Sequence, residues 1–458
     1  MITRRSLLRG ASGLGALALA GPAAAAGADN VLAPRLPMHA PRAKRVIFLF
    51  MQGGPSHVDT FDYKPELIAR DGQSIDFTGV RFGTFGKESQ RRLMKPLWGF
   101  RQHGECGRWV SELFPHQAQL VDELCFVHSM RTEGVAHGPS TLFLHTGATN
   151  LVRPSLGSWI SYGLGSECQD LPAFVTLLPS ATKGGPRNYA SAFLPAAHQG
   201  TPIGSAGQPT RNAGVRHLAG ASDAQFDLQR ALNRAQLDTA QSDDRLDAEL
   251  SAFELARRMQ RVAPEVLDLS RESAATRALY GIDEQPTDDF GRQCLLARRL
   301  SEAGVRFVQV NYADESTNPR WDQHSNMPAH AQHARAIDKP VAGLLRDLAA
   351  RGLLEDTLVW WGGEFGRTPF AQGADGRDHN PRGFTIWLAG GGVKRGYAHG
   401  STDEIGHEAV DQPMHMRDLH ATILHLLGLD HELLTYTWSG RPFRLTDVEG
   451  EVVRELLA

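Results

Sequence analysis

The chain has 458 residues, 22% charged and 41% hydrophobic, an ordinary globular composition for one large domain or two small ones. A formal net charge of −3 provides no electrostatic footprint for nucleic acid or another polyanionic partner. Beyond the N-terminus no apolar run is long enough to span a bilayer.

Thr3-Arg4-Arg5-Ser6-Leu7-Leu8 is a twin-arginine pattern. A weakly apolar stretch from Gly10 to Ala20 follows, and Ala23 to Ala26 offer small-residue cleavage sites after Pro22. The apolar run is too short and too glycine-rich to cross a membrane stably. Residues 1–26 are therefore expected to be a signal peptide for the twin-arginine export machinery, with residues 27–458 as the periplasmic or secreted protein. The four cysteines (Cys106, Cys125, Cys168 and Cys294) contain no C-x-x-C pair. Cys106 with Cys125 would close the shortest disulfide loop, and buried free thiols fit the spacing equally well.

Val46–Met51 is a continuous apolar run stopped by Gln52-Gly53-Gly54-Pro55, the pattern of a parallel strand buried on both faces. Similar runs follow at Leu124–Val127, Phe174–Leu178, Val305–Val310, Thr357–Trp361 and Phe384–Ala389. Between them, Ser180 to Gly220 reads as loop and Ala221 to Ser301 as almost wholly helical. Residues 180–301 are thus expected to leave the sheet and pack beside the site without forming an independent domain. Ile337, Val341, Leu344, Leu345 and Leu348 share one helical face, with Pro340 expected to kink that helix or mark its first turn. Met416, Leu419, Ile423, Leu426 and Leu427 share another, which Gly428 stops. Strands alternating with helices predict an α/β fold, a doubly wound, mostly parallel sheet flanked by helices.

Ligands of open α/β sheets bind outside the carboxyl ends of the strands, so the polar residues after each apolar run are the site candidates. After the first run, His57 and Asp59 are a ligand or anion-orienting pair, or else part of a capped turn. Asp322 and His324 follow the Val305–Val310 run with carboxylate and imidazole donors suited to a divalent metal. Glu364 is a further metal candidate beyond Thr357–Trp361, and Arg367 presents a fork that recognises phosphate or sulfate. A buried Glu364–Arg367 ion pair is the structural alternative. Asp378 and His379 form a second carboxylate–imidazole pair; adjacent residues rarely both point inward on a strand, so one of them needs a loop. His137, Ser140, Thr141 and His145 lie at a predicted helix start, where Ser140 suits a nucleophile or phosphate binder and also an ordinary helix cap.

These pieces, in this order, resemble the exported bacterial family known as domain of unknown function 1501. The likeness runs through Met51–Asp62, Arg153–Gly163, Phe193–Gly200, Trp321–His324, Gly363–Pro369, Gly376–His379 and Asp418–Thr422. A looser likeness is to the alkaline-phosphatase superfamily with its sulfatases. His137-Gly138-Pro139-Ser140-Thr141, ending in Thr146-Gly147, is similar to the sulfatase C-x-P-S-R…T-G signature. Asp322 and His324 sit where phosphatases carry an Asp…His metal pair, Glu364-Phe365 where they carry an adjacent Asp-His pair, and His379 near their last metal histidine. The sequence also departs from that pattern. Gln52 stands in place of a metal Asp, Phe365 in place of a metal His, and His137 in place of the modified Cys or Ser, which excludes a formylglycine mechanism.

The resemblance implies an alkaline-phosphatase-like fold and a metal-dependent hydrolase or transferase acting on phosphate or sulfate esters, of a small anionic molecule or a glycan. Asp322, His324, Asp378 and His379, with Glu364, His57 and Asp59, would hold a divalent ion (zinc, calcium, magnesium or manganese). Arg367 would clamp the anion, His137 would stand among the catalytic groups, and Ser140 or a metal-bound water would attack. The departures favour the rival expectation, a non-catalytic binding or scaffold protein with a degenerate site.

Overall fold

The strand β1 (Arg45–Met51) sends alternate side chains into two separate apolar layers: Ile47, Leu49 and Met51 into one, Val46, Phe48 and Phe50 into the other. That period of two, with both sets buried, makes β1 the centre of a sheet covered on both faces. The computed structural model describes residues 31–76, 90–215, 228, 231–232 and 244–458. The leader expected over residues 1–26 and most of residues 216–243 lie outside the described residues.

Around β1 the sheet gathers β2 (Leu124–Arg131), β3 (Phe174–Leu177), β4 (Thr201–Ile203), β5 (Phe307–Tyr312) and β6 (Thr357–Gly362). A hairpin, β7 (Gly366–Gln372) and β8 (Gly376–Asn380), stands beyond β6, and β9 (Phe384–Ala389) returns to the sheet. Two-residue strands β10 (Ala398–His399) and β11 (Met414–His415) pair with β2. The order is β10-β2-β9-β6-β1-β5-β3-β4. β1 is parallel to β5 and β6, in register Val46↔Phe307 and Arg45↔Thr357, and β3 and β4 extend the parallel set. β9 alone runs antiparallel to its neighbours in this sheet, because the hairpin turns the chain round at the carboxyl end of β6. The sheet is therefore mostly parallel, as the apolar runs predict.

Helices α4 (Asp288–Glu302) and α5 (His330–Ala350) cover one face, contributing Phe290, Leu295, Ile337, Val341 and Leu344 to the first layer. On the other face, α1 (His137–Thr146), α2 (Leu156–Leu164) and α6 (Met416–Leu426) contribute Phe143, Trp159, Ile160, Leu419 and Ile423. The cross-strand pair Phe48 and Trp360 stacks at 3.6 Å between ring centroids within that second layer. Burying each such side chain contributes about 1.5–3 kcal/mol.

Three expectations are corrected. Thr201–Ile203, inside the stretch read as loop, adds an edge strand parallel to β3; three residues including a proline leave no apolar run to detect. The stretch 180–301 therefore rejoins the sheet, and its last helix, α4, packs against it. Within it, α3 spans Asp244–Leu267. Of the two roles expected of Pro340, marking the first turn is excluded, since α5 begins at His330 and runs through it; burial of Ile337, Val341 and Leu344 outweighs the one hydrogen bond a proline removes. All four cysteines are free, Cys125 and Cys294 being buried. No helix among the described residues is long and apolar enough to cross a membrane.

Candidate metal centre

Four chain segments meet beyond the carboxyl end of the sheet. His137 is the first residue of α1, Asp322 and His324 lie on the loop after β5, Glu364 follows β6, and Arg367 and His379 are cross-strand partners in the β7–β8 hairpin. Paired residues in antiparallel strands share a face, so Arg367 and His379 both reach Asp322. Glycine allows the approach. A Cβ on Gly53 (φ 109°) would lie 2.7 Å from Asp322 N, and one on Gly376 would overlap the His324 carbonyl at 1.8 Å. Gly376→Ala must therefore displace the His324 backbone. It is expected to weaken metal binding by roughly 10–100-fold, the usual effect of disturbing a ligand's support, as read by competition with a chromogenic chelator.

His137, Asp322, His324 and His379 offer ligand atoms that all lie within 4.8 Å of one another. Asp322 Oδ1 is 2.7 Å from His324 Nε2 and 3.2 Å from His379 Nε2, and the two Nε2 atoms are 3.0 Å apart. The outer nitrogens decide which tautomers are present. His379 Nδ1 donates to Val135 O at 2.7 Å, His137 Nδ1 to Glu364 Oε1 at 2.6 Å, and His324 Nδ1 to Gln372 Oε1. A neutral ring that donates from Nδ1 turns a lone pair outward at Nε2. Those lone pairs and the Asp322 carboxylate converge with no proton between them, a repulsive arrangement unless a cation sits among them. His137 Nε2 stands 3.0 Å from Asp322 Oδ2 but out of line for a hydrogen bond. Two donors each ~2.0–2.1 Å from a tetrahedral zinc ion stand roughly 3.3 Å apart, so these residues fit one ion.

The electrostatics point the same way. Burial pushes His379 down to about 4, with Arg367 adding to the effect against the pull of Asp322, so the ring is neutral and ligand-competent. Burial works against the Asp322 carboxylate, but Arg367 and the three imidazoles outweigh it and hold its pKa well below the usual range. Burial also opposes charge on His137, yet Asp322 and Glu364 on either side raise its pKa above the ordinary value. Without an ion, a proton on His137 takes part of the cation's place.

The other sequence candidates stand elsewhere. Arg367, fully buried, donates to Gly54 O (3.0 Å), Gly53 O, Arg377 O (3.3 Å) and Asp322 Oδ1 (2.7 Å). It fixes the first loop and the ligand carboxylate and presents no exposed edge for an anion. Neither is it paired with Glu364, whose oxygens take Gly53 N at 3.0 and 3.1 Å and His137. Glu364 orients His137 and lies outside the four-residue cluster. Asp59 is bound to Arg377 at 2.7 Å, and His57 Nε2 lies 2.8 Å from Gly406 O; both are buried and outside the cluster. Asp378 alternates with His379 along β8; its Oδ1 accepts from the His379 amide at 2.8 Å and lies 3.9 Å from the outer nitrogen of His324. Ser140 is fully buried one turn along α1, its hydroxyl packed near Gly134 without a hydrogen-bond partner. Gln372 and the Val135 carbonyl, which fix the ligand tautomers, carry no sequence signal: one is an ordinary amide, the other a backbone atom.

Over residues 43–457 the chain matches the family described as "Protein of unknown function (DUF1501)". It belongs to that family. Curated proteins give no match. Among solved structures, this DUF1501 chain is similar to the lipoteichoic acid synthase LtaP from Listeria monocytogenes (8% identity, TM-score 0.36, covering 89% of this chain and 80% of that one). It is similar also to the PsFucS1 sulfatase from Pseudoalteromonas sp. (13%, 0.34, 85% and 68%) and to alkaline phosphatase from the Antarctic bacterium TAB5 (10%, 0.31, 84% and 98%).

Proposed function

We propose that this DUF1501 protein binds one divalent metal ion through Asp322, His324 and His379, with His137 beside them, and hydrolyses phosphate or sulfate esters. The observation that carries the reading is the convergence of imidazole lone pairs and a carboxylate whose tautomers are fixed from outside. Two imidazoles and one carboxylate, with a third imidazole beside them, suit zinc or manganese better than calcium or magnesium, which favour oxygen ligands. A bound ion would supply Lewis-acid polarisation of the ester. Asp322 offsets the ion's charge, Arg367 keeps Asp322 in place, and Glu364 turns His137 so that its Nε2 faces the cluster. His137, its Nε2 facing the cluster, is the group placed to exchange a proton with the leaving oxygen. Ser140, buried in the described state, has no part in this reading. A location outside the cytoplasm is part of this reading, supported by the Thr3–Leu8 pattern with the short apolar stretch and small residues that follow it.

A second reading follows from His137 itself. If all four residues bind the ion, a tetrahedral site is closed and the protein is a non-catalytic binding protein. Metal analysis of the purified protein, with turnover of 4-nitrophenyl phosphate and sulfate, separates the two. Hydrolysis requires about one ion per chain and turnover that His379→Ala abolishes together with the metal. Full occupancy without turnover selects the closed site, and absence of metal overturns both.

A further inference from the structure

We infer that the surface at the far end of α1 docks on a phospholipid bilayer and seats one headgroup phosphate on Arg153. The inference stands apart from the metal centre. His137 opens α1 and Thr146 closes it, so the two places lie roughly 14 Å apart along the helix. A cavity of about 140 Å³ lies at that end, with Thr146, Leu151, Arg153, Arg417 and Asp447 in its lining. It falls well below the ~300–1,000 Å³ of sites that enclose a whole small molecule, and suits a single headgroup phosphate.

Three loop segments meet at its rim. Leu151 and Val152 precede Arg153, and Val448 follows Asp447. Between them, the hairpin of β12 (Tyr436–Trp438) and β13 (Arg441–Phe443) sets Trp438 opposite Arg441. Arg153 and Arg441 both lie over the Phe443 ring, at 4.6 and 4.9 Å from its centroid, and Arg441 reaches Asp447 at 3.4 Å. The segments therefore form one surface. On it Leu151, Val152, Trp438 and Val448 are 52%, 63%, 50% and 78% exposed. Single exposed apolar side chains need no explanation, but four on adjoining loops mark an interaction site.

The charges indicate what covers it. Arg417 is matched by Glu133 and Arg441 by Asp447, at 3.4 Å each. Arg153 has neither a hydrogen bond nor an ion pair among the described residues, and its donors are available to a phosphate. The occupant must thus offer apolar depth to Leu151, Val152 and Val448, a polar boundary to Trp438, and an anion to Arg153. A bilayer offers all three in layers: acyl chains beneath, phosphates above, and a boundary where Trp and Arg side chains settle. Because the other arginines are already matched, docking rests on apolar insertion and one phosphate contact, with little contribution from net charge.

Co-sedimentation with vesicles tests this on the protein in the form that accumulates in its cells. Vesicles of phosphatidylcholine alone and of phosphatidylethanolamine with phosphatidylglycerol should both bind it, within threefold of each other, since phosphate is common to all. Val152→Ser, Trp438→Ser and Val448→Ser should each weaken binding at least fivefold. Arg153→Gln should do the same, with Arg153→Lys recovering part of the loss. Ile68→Ser, at an exposed apolar position on the short helix Pro65–Ala69, should change nothing. Absence of vesicle binding, or binding that the Val152, Trp438 and Val448 variants retain, overturns the inference. So does a requirement for phosphatidylglycerol, which would place recognition in net charge. Calorimetric binding of inorganic phosphate without vesicle binding would assign Arg153 to a free anion. Light scattering that shows a dimer broken by Trp438→Ser, again without vesicle binding, would assign the face to a second copy of the chain; either result overturns the bilayer as occupant.

Discussion

Asp322→Asn is expected to empty the metal centre and to destabilise the fold by about 3–5 kcal/mol, the range seen when one partner of a buried ion pair is removed. Both effects have one origin. Asp322 supplies the only carboxylate in the four-residue cluster and, among the described residues, the only carboxylate oxygen that the fully buried Arg367 touches. The asparagine keeps the shape but loses the charge, leaving a guanidinium compensated only by backbone carbonyls. The double variant Asp322→Asn/Arg367→Met removes that orphaned cation. It should recover part of the stability, with a coupling of roughly 0.5–3 kcal/mol between the sites, and none of the metal. Denaturant midpoints and metal content per chain measure the two effects separately. Full occupancy in Asp322→Asn would mean that the imidazoles alone bind the ion, and the proposed ligand set would be wrong.

The contrast between Asp322 and the other candidates shows what a sequence can and cannot carry. Runs such as Val46–Met51 and Thr357–Trp361 announce buried strands because every residue in them is apolar, and a doubly covered strand needs nothing else. The polar residues after those strands were legible as a group for the same reason, since a strand end is where such groups collect. Their individual roles were not. Arg367 offers the fork of an anion clamp, but its acceptors are the carbonyls of Gly53 and Gly54, some 313 positions away, and no residue type marks a carbonyl as needing a donor. The β7–β8 hairpin escaped notice because its strands are polar and yet buried from Gly366 to Phe370 and from Gly376 to Asn380, so neither alternation nor an apolar run marks them. That hairpin makes Asp378 and His379 strand residues with one of the pair turned to the cluster, in place of the loop expected from their adjacency. His137 was legible as a reactive position at a helix start. Its partnership with Asp322 depends on a crossing of β2, β5 and β6 that sequence spacing does not contain.

Asp59 offers the sharpest separation of a structural carboxylate from a ligand one. With no measurable exposure, it receives Arg377 Nε at 2.7 Å, Leu97 N at 3.1 Å and the Ser56 hydroxyl. Arg377, equally buried, has as its other acceptors the carbonyls of Thr368, Met94 and Lys95. Asp59→Asn removes the one anion in this set, so it should lower stability by about 3–5 kcal/mol, as for other broken buried pairs. Metal content in the folded protein should stay at the wild-type level, because no ligand atom of the cluster belongs to Asp59. His379→Ala should produce the opposite pattern, with metal lost and a smaller change in the denaturant midpoint, since that ring is neutral and its loss strands no charge. Parallel loss of metal and stability in both variants would mean that the Asp59–Arg377 pair and the metal centre form one cooperative unit. The division between scaffold and ligand drawn from these distances would then fail.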